Sequence, residues 1–301
     1  MAQARRVLIV LPQWAHLMDV AGPAQAFSSA AETGGRYIVD FVADGGSVLT
    51  HQGVMLGSSS CWPDLNSEDL VLVPGWKTER TRRPLSPEML GRIRKHWDAG
   101  GRVASVCAGS LLLAEAGVLE GQTATTHHDL VRELELCRGV RVERDVLYTC
   151  SGRLHTSAGI ASGIDLALHI IGHDHGPRLR AKVARTLVVP AARPGGQSQV
   201  SILLAHRDHV DDLVHRAQDL LDDPAGPALS LGELAGRLGT GARTLSRHFQ
   251  AATGLTPHAY GAAVRRERAA ELIDAGWSRE SAARAVGYAD ARSLRRRSEG
   301  G

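Results

Sequence analysis

Cysteine and long apolar segments are the two features that this sequence has least of. Its 301 residues include four cysteines, and no two of them form a Cys-x-x-Cys pair. This spacing excludes a disulfide scaffold and argues against structural zinc, so the chain is expected to be cytoplasmic with free thiols. The longest apolar run near the start, Val7 to Leu11, ends at Pro12. It is far shorter than a bilayer-spanning helix of about 20 residues, and neither a membrane partner nor an export signal is predicted.

Net charge is also low, but it is unevenly distributed. The 35 basic and 32 acidic residues give +3, which by itself implies no polyanionic partner. Residues 224–301 contain 12 Arg against 7 Asp or Glu, whereas residues 201–223 contain 2 Arg against 6 Asp. The basic surplus therefore lies at the C-terminal end. Because 32 of the 35 basic residues are Arg, a codon bias is an alternative explanation for Arg-rich segments.

Length and patterning predict two domains, the first of them α/β. Short β-rich runs that are apolar on both faces alternate with helical stretches through the first two-thirds of the chain, which is typical of a parallel sheet covered on both sides. The runs are Val7 to Leu11, Tyr37 to Val42, Asp69 to Pro74 and Arg102 to Cys107. Helices are predicted between them, and Thr156 with Ser157 is expected to cap another that runs through His173.

A break at residues 190–199, which contains Pro194-Gly195-Gly196, marks a linker. We therefore assign residues 1–190 to the first domain, 191–205 to the linker and 206–301 to an all-α second domain. An apolar helical stripe from Val210 to Leu221 begins that domain. Ser230 and Glu233 then have the spacing of a capping box, which predicts that a helix starts there.

The helices of the second domain are predicted to form two helix-turn-helix units. The first turns at Gly239-Thr-Gly241 and continues from Ala242 to Ala252, and the second turns at Gly287 and continues from Asp290 to Arg297. A helix from Pro257 to Ala275 connects them. At 1.5 Å per residue it is about 28 Å long. A helix of that length could hold the two recognition helices at a separation close to the roughly 34 Å between successive major-groove faces.

In each helix-turn-helix unit, one face of the second helix is polar and basic. In the first unit this stripe consists of Arg243, Ser246, Arg247 and Gln250, and in the second of Arg292, Arg295 and Arg296. Arg binds phosphate or guanine and Gln pairs with adenine, so the stripes have the chemistry that reads double-stranded DNA. The alternative is a solvated helix face. Duplication of the unit favours DNA.

Cys107 carries the clearest chemical signal of the first domain. It ends a buried strand and opens a helix, a position typical of a nucleophile, and the helix N-terminus is expected to lower its pKa. Asp19 and His127 are expected at the same edge of the sheet. The alternative is a small buried apolar residue. No metal or cofactor is predicted, because the pair His169 and His173 lacks an acidic partner.

Several segments together resemble a known family. They are Asp19-Val-Ala-Gly-Pro23, Val73-Pro-Gly75, Val106-Cys-Ala-Gly-Ser110, Leu113 to Gly121, Ala124-Thr-Thr-His127, Thr156-Ser-Ala-Gly159, Gly163-Ile-Asp165, Leu187-Val-Val-Pro190 and Gly195-Gly-Gln197. The chain resembles the AraC-family transcription regulators that carry an N-terminal DJ-1/PfpI-like domain, a type 1 glutamine amidotransferase-like fold. The resemblance implies a cytoplasmic regulator that forms a homodimer through the first domain and binds promoter DNA through the second.

The resemblance also identifies Cys107 as the elbow cysteine of the superfamily, His127 as its histidine and Asp19 as its first-loop acid. Enzymes of the superfamily place His or Thr directly after the cysteine, whereas this chain has Ala108. Trp76 follows Gly75 where hydrolytic members have a second Gly. The chain is therefore expected not to be an enzyme, and the four residues Cys107, Asp19, His127 and Gly75 become a candidate reactive or effector site, with an unknown small molecule as the effector.

Two other functions stay open. The first is a Cys-dependent hydrolase or isonitrile hydratase-like enzyme of the same superfamily. The second follows from Ser298, which stands where the family places a core Phe, and from the sequence ending at Gly301. On that interpretation the second helix-turn-helix is truncated at its C-terminus and the regulator binds DNA weakly.

Overall fold

The four strands predicted in the first domain lie side by side in one sheet. The computed structural model describes residues 4–81, 83–159, 161–189, 193–199, 201–223, 226, 229–274 and 276–292. Within these residues the chain divides into two compact units, residues 1–199 and 200–301. The first is α/β and the second is built from helices, which confirms the predicted fold class.

The main sheet of the first unit has the order β2-β1-β5-β6-β10-β9, and every neighbouring pair is parallel except β10 with β9. Two small sheets, β3-β4 and β7-β8, stand beside it. The strands are β1 (Arg5–Val10), β2 (Tyr37–Val42), β3 (Ser47–Leu49), β4 (Met55–Gly57), β5 (Leu70–Val73), β6 (Arg102–Val106), β7 (Thr123–Ala124), β8 (Arg141–Val142), β9 (Tyr148–Ser151) and β10 (Leu154–Ser157).

Helices cover this sheet, and the apolar runs of β1, β5 and β6 are the centre of the core. Helices α1, α5 and α6 pack against one another, and α2 packs against α3. Their bounds are α1 (Leu17–Glu32), α2 (Pro87–Asp98), α3 (Gly109–Glu115), α4 (Val131–Glu135), α5 (Ser162–His175) and α6 (Pro177–Thr186). Thr156 and Ser157 lie in β10, so the prediction that they cap a helix is wrong.

The topology brings several chain segments to one edge of the sheet. Because β1, β5, β6 and β10 run parallel, their carboxyl ends share that edge. Gly75 follows β5 by two residues, Cys107 follows β6 directly, and Gly159 follows β10 by two residues. The candidate site of the first unit is therefore assembled from segments that are far apart in sequence.

Residues 193–199, which the sequence assigns to the linker, are bonded to the first unit. Arg193 makes hydrogen bonds to the Asp165 carboxylate from its backbone N–H and its guanidinium, at 2.7 to 3.0 Å. The backbone N–H groups of Leu147 and Tyr148 donate to the carbonyls of Gln197 and Gly195. These contacts anchor the Pro-Gly-Gly segment, and the division between the units follows residue 199.

The second unit is a helical domain with its own small core. Its helices are α7 (Ile202–Ala205), α8 (Asp212–Asp222), α9 (Leu231–Arg237), α10 (Ala242–Thr253), α11 (Pro257–Asp274) and α12 (Arg279–Ala285). Leu234, Leu245, Phe249 and Tyr260 are fully buried between them. Val210, which the sequence places in the apolar stripe, precedes α8 and is fully exposed. The stripe therefore begins later than predicted.

Candidate functional site

Cys107 occupies a sharp turn between β6 and α3, as the sequence predicts. Its φ of +55° lies in the left-handed region, which non-glycine residues rarely adopt. The turn is held by hydrogen bonds on both sides. The Cys107 N–H donates to the Ser157 carbonyl at 2.9 Å, and the Thr126 hydroxyl donates to the Cys107 carbonyl at 3.0 Å. A strained backbone that neighbouring segments hold in place is typical of functional sites.

A carboxylate and two glycines surround the Cys107 side chain. Asp19, in the first turn of α1, is fully buried and is hydrogen bonded to the thiol. A Cβ atom built on Gly75 would lie 2.6 Å from Asp19 Oδ2 and 2.8 Å from Cys107 Cβ. A Cβ built on Gly159 would lie 3.0 Å from the sulfur, and Gly159 has φ of +126°. Both glycines are therefore required by the close approach of their backbones to Cys107.

The pKa of Cys107 moves in the opposite direction to the sequence-based expectation. Burial, which leaves the residue 7% exposed, is the largest cause, and the negative charge of Asp19 is the next. Both raise the pKa, because both disfavour the thiolate. The start of the short helix α3 does not offset them, so the expectation of a lowered pKa is wrong. Both effects therefore favour the protonated thiol at rest.

The structure brings Asp19 and Gly75 to Cys107, but the contacts of His127 lie elsewhere. Its ring packs against His128 with a centroid distance of 4.1 Å, and its Nδ1 lies 3.5 Å from an Asp129 oxygen. Burial lowers the pKa of His127. Among the described residues, none of the hydrogen bonds or ion pairs of His127 reaches Cys107. An acid, a thiol and a histidine are present, but they are not joined in one hydrogen-bonded chain.

Two buried residues follow Cys107 and Gly75 directly in the sequence. Ala108 is buried and has no polar side-chain atom to contribute. Trp76 is also buried, and its indole N–H donates to the Thr81 carbonyl at 2.8 Å. Sequence reasoning missed Thr126, whose hydroxyl holds the elbow, although Thr126 immediately precedes His127. It also missed the grouping of His127, His128 and Asp129, for which adjacent ligand-type residues were the available signal.

The second candidate site is the exposed face of α10. The helix before it, α9, starts with the predicted capping box, in which Ser230 accepts the Glu233 N–H and the Glu233 carboxylate accepts the Ser230 N–H. Gly239 has φ of +65° in the turn that follows. In α10, Leu245 and Phe249 are fully buried. The predicted stripe lies on the outer side, with three exposed residues and one half-buried serine: Arg243, Arg247, Gln250 and Ser246.

Contacts with two other helices fix the position of α10. His248 Nδ1 lies 2.7 Å from Asp211 Oδ2, while Asp211 Oδ1 accepts the Val214 N–H and caps α8. The ring of Phe249 packs edge-on against Tyr260 of α11, at 5.4 Å between centroids. These buried and polar contacts make the outer stripe of α10 a rigid surface rather than a loosely attached helix.

The second helix-turn-helix unit is described in part. Ser278 caps α12 by accepting the Ser281 N–H, and Gly287 has φ of +81° in the following turn. Arg292 is exposed at the start of the next segment. Arg295, Arg296 and Ser298 lie outside the described residues.

In the part of the chain that is described, no helix is long and apolar enough to cross a membrane.

Comparison with protein families finds two matches in the same order as the two units. The DJ-1/PfpI family matches residues 5–173, and a helix-turn-helix domain matches residues 234–298. These matches cover the α/β sheet with its elbow and the α9–α12 region respectively.

Comparison with individual proteins agrees with these two family matches. The HTH-type transcriptional regulator CdhR of Pseudomonas aeruginosa is 30% identical over 77% of this chain and 68% of its own length. An isonitrile hydratase of Pseudomonas putida is 34% identical over 53% of this chain and 67% of its own length. The crystal structure of an AraC family transcriptional regulator from Pseudomonas putida superposes with a TM-score of 0.54 at 19% identity, covering 61% of this chain and 99% of that one. The chain therefore belongs to the DJ-1/PfpI family, among the AraC-family regulators that join such a domain to a C-terminal helix-turn-helix domain.

Proposed function

We propose that this protein is a sequence-specific transcription regulator that reads double-stranded promoter DNA with α10. The observation that carries the proposal is the exposed polar stripe on a helix whose opposite face is fully buried. Arg243, Arg247 and Gln250 reach solvent from a helix that α8 and α11 hold in place. Such a helix enters the major groove without losing packing, and Arg and Gln then bond to guanine and adenine edges.

The second helix-turn-helix supplies a further DNA contact in this proposal. Helix α11 has 18 residues, so it is about 27 Å long. That length separates the two helix-turn-helix units by a distance close to the roughly 34 Å between successive major-groove faces on one side of DNA. Arg292, together with Arg295 and Arg296 outside the described residues, is assigned to the second contact.

The first unit is proposed to act as a homodimerisation and effector-sensing domain rather than as an enzyme. Burial and Asp19 keep Cys107 protonated, which suppresses nucleophilic attack. The Ala108 side chain provides no hydrogen-bonding group beside it, and the contacts of His127 are with His128 and Asp129. Because the protein acts on DNA, we also propose that it works in the cytoplasm.

A Cys-dependent enzyme is the second candidate function. It is favoured by the similarity to an isonitrile hydratase and by the strained elbow with a carboxylate hydrogen bonded to the thiol. In that alternative Asp19 accepts the thiol proton and Cys107 attacks the substrate. This reading requires the carboxylate to remove a proton that burial holds on sulfur, and this requirement makes it the weaker candidate.

One experiment separates the two functions. The intact protein is incubated with sheared genomic DNA, the bound fragments are sequenced, and the same preparation is assayed for isonitrile hydration beside Cys107→Ser. The proposal expects a small set of strongly enriched fragments and no turnover that depends on Cys107. Uniform recovery of the genome, together with product formation that Cys107→Ser abolishes, would establish the enzyme instead. Sedimentation of the same sample measures whether it is a dimer.

A further inference from the structure

Three consecutive side chains of the first unit converge on one point near the elbow. His127, His128 and Asp129 follow the short strand β7 and enter a 3-10 turn, His128–Leu130. Consecutive residues on an extended strand point to opposite faces. Here the turn brings one nitrogen of each histidine and one carboxylate oxygen within 4.8 Å of one another. Among the described residues, none of the hydrogen bonds or ion pairs of these three side chains reaches Cys107, although the charge of Asp129 does act on the thiol.

Both histidine–carboxylate contacts in this cluster are longer than charge-assisted hydrogen bonds, and they run to different oxygens of Asp129. Asp129 Oδ2 lies 3.5 Å from His127 Nδ1, and Asp129 Oδ1 lies 3.4 Å from His128 Nε2. Charge-assisted hydrogen bonds are shorter, about 2.7–2.9 Å. In a tetrahedral site with metal–ligand bonds of about 2.0–2.1 Å, neighbouring ligand atoms are about 3.3–3.4 Å apart. One ligand atom from each of the three residues lies within 4.8 Å of the other two, so side-chain rotations would have to bring these atoms closer together around an ion.

The donor atoms indicate which ion fits. Two imidazoles and one carboxylate suit zinc, nickel, cobalt or copper, whereas magnesium and calcium prefer oxygen ligands. The Asp129 N–H donates to the lone pair of His127 Nδ1 at 3.4 Å, and a metal ion bound at this nitrogen would replace that long hydrogen bond. His128 and Asp129 are exposed, which leaves an entry path and a fourth coordination position for water.

The segment that leads into the cluster is fixed by buried hydrogen bonds. Thr125 N–H donates to the Thr156 hydroxyl at 2.8 Å, and Thr126 donates to the Cys107 carbonyl at 3.0 Å. The Gln199 amide donates to the Thr126 carbonyl at 2.9 Å. Both threonines are fully buried. The ligands therefore project from a rigid base, which lowers the cost of ordering them around an ion.

We propose that His127, His128 and Asp129 form a binding site for one divalent transition-metal ion on the first unit. The site provides three protein ligands and keeps one position open. It goes beyond the proposed DNA binding, and it differs from the sequence-based expectation of no metal, which considered the pair His169 and His173.

The test titrates the full-length apo protein with Zn²⁺ by calorimetry and with Co²⁺ by visible absorption, without DNA. The expected result is one tight equivalent and a Co²⁺ spectrum of a low-symmetry site. His128→Gln and Asp129→Asn should each weaken binding by about tenfold or more, because a lost ligand costs at least as much as a lost outer-shell partner. Mg²⁺ should not compete.

The matched control is His173→Gln. His173 is an exposed histidine whose Nδ1 also lies 3.4 Å from a carboxylate oxygen, that of Asp174, but Asp174 is already bonded to Arg102. This variant should bind Zn²⁺ like the unaltered protein. Unchanged affinity in His128→Gln and Asp129→Asn, or several weak equivalents with no Co²⁺ spectrum, would overturn the proposal. Thermal unfolding of the apo variants checks their folding. Since no DNA is present, a negative result leaves the DNA-binding proposal intact.

Discussion

Arg247→Ala should weaken DNA binding without destabilising the protein. Arg247 is exposed on α10, four residues after Arg243 and on the side of the helix opposite Leu245 and Phe249. Its removal opens no cavity, so the free energy of unfolding should stay within about 0.5 kcal/mol of the original value. A side chain that reads a base edge contributes about 1–3 kcal/mol, so affinity should fall about 5- to 150-fold.

The assay is fluorescence anisotropy on a DNA fragment selected by the protein itself, at two salt concentrations. If Arg247 instead neutralises a phosphate, the slope of log affinity against log salt should decrease by about 0.9. Arg138→Ala is the matched control, because it removes the same charge from a side chain that is 94% exposed on the first unit. Equal affinities and equal salt slopes for Arg247→Ala and Arg138→Ala would refute the assignment of α10 as the reading helix.

Three further predictions concern the first unit and the packing of the chain. Cys107 should react with iodoacetamide more slowly than exposed Cys61 in the folded protein and at a similar rate after denaturation, because burial raises its pKa. Gly75→Ala should lower stability by about 1–3 kcal/mol in urea unfolding, because its Cβ would meet the buried carboxylate at 2.6 Å, whereas Gly232→Ala, which meets no atom within 4 Å, should not. Burial lowers the pKa of His155 to about 4, so the unfolded chain takes up a proton that the folded chain excludes. Stability should therefore fall by about 3 kcal/mol as pH decreases from about 6.5 to 4, and His155→Gln should remove this loss.

Three of the four strands that sequence patterning predicted, β1, β5 and β6, are buried on both faces over most of their length, whereas β2 is partly exposed. In β1 and β5, continuous Val, Leu and Ile runs fill the centre of the sheet, so composition identifies them, and β6 keeps Val103, Ala104 and Val106 around the buried Ser105. In β9 and β10 the pattern fails, because buried polar residues replace apolar ones. Thr149 and Thr156 form a hydrogen bond between the two strands, with 2.8 Å between their hydroxyl oxygens. A buried threonine pair of this kind is indistinguishable in sequence from a helix-capping residue.

The sequence predicts the two candidate sites to different extents. The face of α10 follows from helical periodicity, which places Arg243 and Arg247 opposite Phe249 without any knowledge of tertiary contacts. The elbow at Cys107 also follows from its place between a strand and a helix. Its pKa does not, because the direction depends on burial and on Asp19, which lies 88 positions earlier in the chain. Long-range desolvation is set by tertiary packing, so the local rule for helix N-termini gave the wrong sign.

The most direct test of sequence-specific DNA binding is the ratio of two affinities. The intact protein is titrated onto its most enriched genomic fragment and onto a shuffled fragment of the same length and composition, at one physiological salt concentration. A regulator that reads bases should bind the genomic fragment at least about 10³-fold more tightly. Equal affinity for both fragments would mean that the Arg-rich face of α10 binds only phosphate charge, and it would contradict the proposed function.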